Sequence, residues 1–210
     1  MQKAITEDTS SRLDRLRSRW TNLWADSGFP PPSSEVLNAY CQPSRHYHNL
    51  QHLEEVLQWT LQLPLPADER CLLEAALFYH DAVYDSRRHD NELLSAQWAR
   101  GELEFLGAER VEVIVGLILD TRHKTVPKSP LGCWMVDVDL AILGADWDRV
   151  HRYHQDVRRE YSWVPWFLYR SQRRKLLQAF LHRPQLYLTD YFRQRLEAKA
   201  RTNLARLLEV

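Results

Sequence analysis

The segment Leu72-Leu73-Glu74-Ala75-Ala76-Leu77-Phe78-Tyr79 constrains this chain more than any other, because it is apolar on nearly every face and ends on His80-Asp81. A helix that is hydrophobic all round belongs at the centre of a fold, so other elements must wrap this one. Burying an imidazole and a carboxylate at its end is costly unless something pairs with them. A divalent cation would do so: adjacent helical residues project about 100° apart, yet at a C-terminal turn both side chains can converge on one ion. A hydrogen-bonded His-Asp pair in a core is the plainer alternative, and the dipeptide by itself does not decide between them.

The elements available for wrapping read as helices. Thr9 and Ser10 can cap a helix running to about Asp26 on the stripe Leu13, Leu16, Trp20 and Leu23, which Gly28 and Pro30-Pro31-Pro32 then stop. Ser33 and Ser34 start a short helix to about Tyr40. Further helices are expected over about 50–62, 67–80, 91–106, 108–121, 131–143, 147–161, 166–182 and 188–208. His46, His48 and His52 gather at the loop leading into the 50–62 helix. Six glycines against 10 prolines, with long Leu-, Ala-, Glu-, Arg- and Gln-rich stretches, favour helix over turn-dense sheet. At 210 residues the reading is one all-α domain, 1–210.

Charge and cysteine content exclude several functions. Lysine plus arginine and aspartate plus glutamate both number 28, so no global field favours nucleic acid or an anionic membrane. Cys41, Cys71 and Cys133 are scattered and odd in number, which fits a reducing compartment better than a disulfide framework. The first 20 residues carry early acidic groups and no apolar core, and no run approaches about 18 uninterrupted apolar residues. A cytoplasmic protein is expected. The aromatics of the C-terminal helices, Tyr153 to Phe192, read mostly as core, and Arg158, Arg159, Arg173, Arg174 and Lys175 as a solvated face.

His80-Asp81 has company. His52 stands at the start of an amphipathic helix, and Met135-Val-Asp-Val-Asp-Leu-Ala-Ile-Leu places Asp137 and Asp139 within an otherwise apolar stretch that again calls for a counter-charge. The order His52, His80-Asp81, Asp139 resembles the HD superfamily of metal-dependent phosphohydrolases, and specifically a group of short members of it. That group shows blocks similar to Arg45-His-Tyr-His-Asn-Leu-Gln-His52, Tyr79-His-Asp-Ala-Val-Tyr-Asp85, Asn91-Glu-Leu-Leu-Ser-Ala96, Thr121-Arg-His123 and Asp137-Val-Asp-Leu-Ala-Ile-Leu-Gly144. The blocks run from about residue 40 to 145, with fainter similarity through Arg158-Arg-Glu-Tyr161 and the 197–204 stretch.

The resemblance implies an HD-type helical bundle as a metal-binding core over about 40–145, with a helical extension over about 146–210. It implies His52, His80, Asp81 and Asp139 as ligands of one divalent ion, for which Mn, Fe, Co, Ni, Zn and Mg all remain open. Asp139 is preferred to Asp137 because it directly precedes the Leu-Ala-Ile-Leu run. In the implied reaction a metal-activated water hydrolyses a small phosphorylated metabolite, nucleotides being the first class to consider. Asp85, with Glu92 second, would position or deprotonate that water, although Glu92 reads equally as a first-turn acid at a helix N-terminus. Arg45, His46, His48, Arg122, His123 and Lys124 offer donors for the phosphate. His123 is also where HD proteins with a second metal add a ligand.

Two other readings stand beside the hydrolase: a di-iron HD-fold oxygenase, which needs about two more ligands than the four here, and a non-catalytic module that binds a nucleotide or a protein through a retained metal. Substrate identity, the choice of metal and oligomeric state are not written in these residues.

Overall fold

The computed structural model describes residues 2–25, 28 and 31–209. Asp26 and Pro30, expected at the end of the first helix and in the stop that follows it, lie outside the described residues. Among the described residues every regular element is helical: α1 (Gln2–Leu23), α2 (Glu35–Ala39), α3 (Leu50–Thr60), α4 (Ala67–Tyr79), α5 (Asn91–Glu102), α6 (Ala108–Asp120), α7 (Pro130–Asp139), α8 (Trp147–Glu160), α9 (Trp166–Leu181) and α10 (Asp190–Glu209). Two expected helices end earlier and tighten into 3-10 turns, Glu104–Leu106 after α5 and Leu140–Gly144 after α7. No described helix is long and apolar enough to cross a membrane.

The chain gathers into two compact units, Met1–Val126 and Pro127–Val210. By this grouping α7, which carries Asp137 and Asp139, sorts with the C-terminal helices rather than with the expected 40–145 core.

In the first unit α4 is the buried centre, as its composition demands. Every residue from Leu73 to Tyr79 is buried, and Trp20 of α1 meets Phe78 and Tyr79 edge-on at ring distances of 4.9 and 5.8 Å. Glu74, the one charge in this stretch, is satisfied by Arg19, which reaches it at 2.8 Å and also donates to the carbonyl of Leu57, and by the Thr60 hydroxyl at 2.6 Å. A buried carboxylate is tolerated because each oxygen finds a donor. Asn49 caps α3 by accepting from the Gln51 amide at 2.8 Å, and this fixes the first turn on which His52 stands.

In the second unit Ser129 caps α7, with Pro130 at its first position. Gly144 closes the 3-10 turn where Leu196 of α10 comes so near that an added Cβ would lie 2.7 Å from the leucine Cβ. Asn203 of α10 donates to the carbonyls of Leu143 and Ala145, and Glu197 receives the amides of Leu186 and Tyr187 while pairing with Arg201 one turn along the helix.

Candidate metal centre

α3 and α4 bring His52 and His80 face to face. Their Nε2 atoms lie 3.0 Å apart, and Oδ2 of Asp81 lies 3.4 Å from the first and 3.1 Å from the second. Both histidines are 1% exposed. The orientation of His80 is set from within its own helix: Nδ1 donates to the Leu77 carbonyl at 2.7 Å, which turns Nε2 toward the other two ligand atoms. Burial would raise the Asp81 carboxyl, but the charges of His80 and His48 and hydrogen bonds from His52 and His80 outweigh it and hold the group well below the usual carboxylate range.

This donor set fits a divalent ion. Ligands about 2.1 Å from a common metal stand roughly 3.0 to 3.4 Å from one another in octahedral or tetrahedral geometry, the spacing the three atoms adopt. Each of the three brings a ligand atom within 4.8 Å of the other two. Asp139, the fourth ligand implied by the resemblance, is half-buried at the end of α7 in the second unit.

Its alternative, Asp137, is committed elsewhere. The Asp137 side chain is fully buried, and its two oxygens accept from the amides of Leu188 and Thr189 and from the Thr189 hydroxyl, each at 2.7 Å. Burial raises its carboxyl in spite of these donors. The two aspartates that the sequence left as alternatives are therefore distinct: Asp137 holds the turn into α10.

Arg45 is used differently from the expectation that it grips substrate. It is 5% exposed, and its guanidinium turns inward to the carbonyls of Asp81 and Ala82, with the Ala82 contact at 2.8 Å. It also lies over the rings of Tyr40 and Tyr84. Arg45 thus clamps the loop that carries Asp81. Tyr40, which sequence reasoning passed over, does related work: its hydroxyl donates to the Phe78 carbonyl and accepts the Asp81 amide. Ser95 of α5 receives the Val83 amide at 3.0 Å, and Asn91 exchanges hydrogen bonds with the backbone of Asp85. Both stand in the Asn91–Ala96 block, the one signal that could have pointed to them.

The remaining expected residues surround this loop unequally. His48 stacks on Tyr84 at 4.0 Å and lies edge-on to His52, so it lines the approach to the cluster. Asp85 is exposed, accepts the Arg87 amide at 2.9 Å, and lines an open cleft of about 450 Å³ together with Arg45, Tyr84 and Trp98. Glu92 is half-buried in the first turn of α5. Arg122, His123 and Lys124 follow α6. Nε of Arg122 is buried without a hydrogen-bond partner, and His123 holds a left-handed backbone at φ 53°, a strain that persists mainly where structure or function requires it.

No family model, curated protein or solved structure matches this chain.

Proposed function

We propose that the chain is a metal-dependent phosphohydrolase of the HD type that hydrolyses a small phosphorylated metabolite, with nucleotides the first class to test. The observation that carries this reading is the convergence of His52, His80 and Asp81, two buried imidazoles and one ionised carboxylate at ion-binding separations. A divalent ion held there supplies a Lewis acid for a phosphoryl oxygen and a water acidic enough to react at neutral pH.

The chain's own groups do the rest. Asp85, exposed in the loop four residues beyond Asp81, accepts the proton of the attacking water, with Glu92 as second candidate. One P–O bond forms from that water, the ester P–O bond breaks, and solvent reprotonates the leaving oxygen. Arg122, His123, Lys124 and His48 supply donors to the phosphoryl oxygens, and the buried, unsatisfied Nε of Arg122 favours a role for that residue. Arg45 and Tyr40 are positioning residues that fix Asp81.

Metal analysis of the purified protein, followed by phosphate release from nucleotides and sugar phosphates with each divalent metal added, tests the proposal. About one metal per chain and release that falls in Asp85→Ala with metal content retained are expected. No release with any metal overturns it.

A further inference from the structure

α8, α9 and α10 of the second unit enclose a small cavity of about 30 Å³, lined by His154, Tyr169, Arg170, Arg173, Arg174 and Leu208, among others. No acidic side chain lines it among the described residues. Two polar atoms of its lining residues are buried without a hydrogen-bond partner: the hydroxyl of Tyr169, a residue only 6% exposed, and Nδ1 of His154. Buried hydroxyls and ring nitrogens are nearly always satisfied, so an orphaned pair at one cavity marks a missing partner.

The surroundings specify that partner's charge. Arg173 is braced by the Tyr153 hydroxyl at 2.6 Å, and Arg174 is tied to the Leu208 carbonyl at 3.1 Å. Arg158, held by the carbonyls of Tyr161 and Val164, places its guanidinium 4.7 Å from the Tyr169 ring centre. Burial first, then the charges of Arg173 and His151, push His154 down to about 4, which keeps it neutral beside the arginines. A neutral imidazole offers a donor in one tautomer and an acceptor for a P–OH group in the other.

We propose that this cavity is a phosphate-binding site built wholly from the second unit, for inorganic phosphate or the terminal phosphate of a small metabolite. A single water would satisfy Tyr169 and His154 but leave three arginine side chains gathered around an acid-free hole. A tetrahedral oxyanion satisfies both atoms and answers the positive charge of the cavity wall. The space admits about two water-sized atoms, so two phosphate oxygens enter it while the others face Arg170 and Arg174. Arginine suits this task because its planar fork presents paired donors to phosphate oxygens.

The test is calorimetric titration of inorganic phosphate into the full chain, with sodium chloride as a control and glycerol 1-phosphate as a second ligand. One saturable site is expected in His80→Ala, in which the metal cluster is broken, and the same site in the wild type beside any phosphate held at the cluster. Tyr169→Phe, which removes only the hydroxyl, is expected to weaken binding about tenfold, and Arg170→Ala to weaken it by a similar factor. Tighter binding of glycerol 1-phosphate points to a metabolite as the source of the phosphate, and tighter binding of the inorganic ion to free phosphate. The proposal is overturned by no saturable binding, by equal competition from chloride, by affinity unchanged in both variants, or by binding that disappears with His80→Ala. Melting curves of each variant separate lost binding from lost folding.

Discussion

The Nε2 atoms of His52 and His80 face one another at 3.0 Å inside the first unit, both rings almost wholly buried. Two imidazoles at that distance need a shared proton or a shared cation, because two lone pairs aimed at one point repel. The nearby Asp81 carboxylate, held ionised, favours positive charge at that point in either form.

His52→Ala or His80→Ala is therefore expected to reduce metal affinity by more than about a hundredfold, since loss of supporting residues alone costs 10- to 100-fold in other metal sites. Elemental analysis after dialysis against a weak chelator reads the effect. Retention of metal by both variants would remove these histidines from the ligand set.

Arg45→Leu tests the clamp on the loop carrying Asp81. Loss of a buried, charge-assisted donor to the carbonyls of Asp81 and Ala82 is expected to cost about 3 kcal/mol, read as a lowered denaturation midpoint with unchanged slope. Arg45→Lys should not restore stability, because one ammonium cannot reproduce the fork that reaches both carbonyls.

Asp137→Asn and Asp139→Asn should behave differently. An amide at 137 has one acceptor oxygen where the carboxylate uses two, so the Leu188–Thr189 turn loses at least one bond and stability drops by about 2 kcal/mol with metal content unchanged. The resemblance implies the reverse pattern at 139: metal affinity falls and the fold persists. Unchanged metal affinity in Asp139→Asn would strike that residue from the ligand set.

His154 gives a signed pH prediction. Its folded pKa of about 4 lies below the ordinary histidine value of about 6.5, so the unfolded chain binds a proton that the folded chain refuses. Stability is unaffected by this group above pH 6.5 and falls as pH drops from 6.5 to 4. Denaturation in phosphate-free buffer across that window should show the slope in the wild type and a shallower one in His154→Phe.

The aromatic-rich C-terminal region shows where periodicity alone misleads. Tyr169, Phe180, Tyr187 and Phe192 are buried, in keeping with a core reading, but Trp163, in the turn before α9, and Trp166 and Phe167, in its first turn, are 49, 52 and 70% exposed. Arg173, read as part of a solvated face, instead turns toward Tyr153 and lines the cavity of the second unit. Side-chain type sets how much a residue gains by burial, and only the neighbouring helices decide whether burial is offered.

The sequence by itself determined that this chain is helical, that α4 is central, and where its helices begin and end to within a few residues, except that α1 starts at Gln2 and runs through the expected Thr9-Ser10 cap; those properties follow from local spacing, caps and an apolar surface that admits no other place. It also singled out His80 and Asp81, since polar ligand types at the end of a buried helix demand a partner, and the resemblance added His52. Only the tertiary structure decided that Asp137 braces a turn, that Arg45 clamps rather than reaches outward, and that Tyr169 and His154 share a cavity. Those roles depend on partners 36 or more positions away for Arg45 and 51 or more for Asp137, and no local pattern records which backbone group a folded chain will bring to a given side chain.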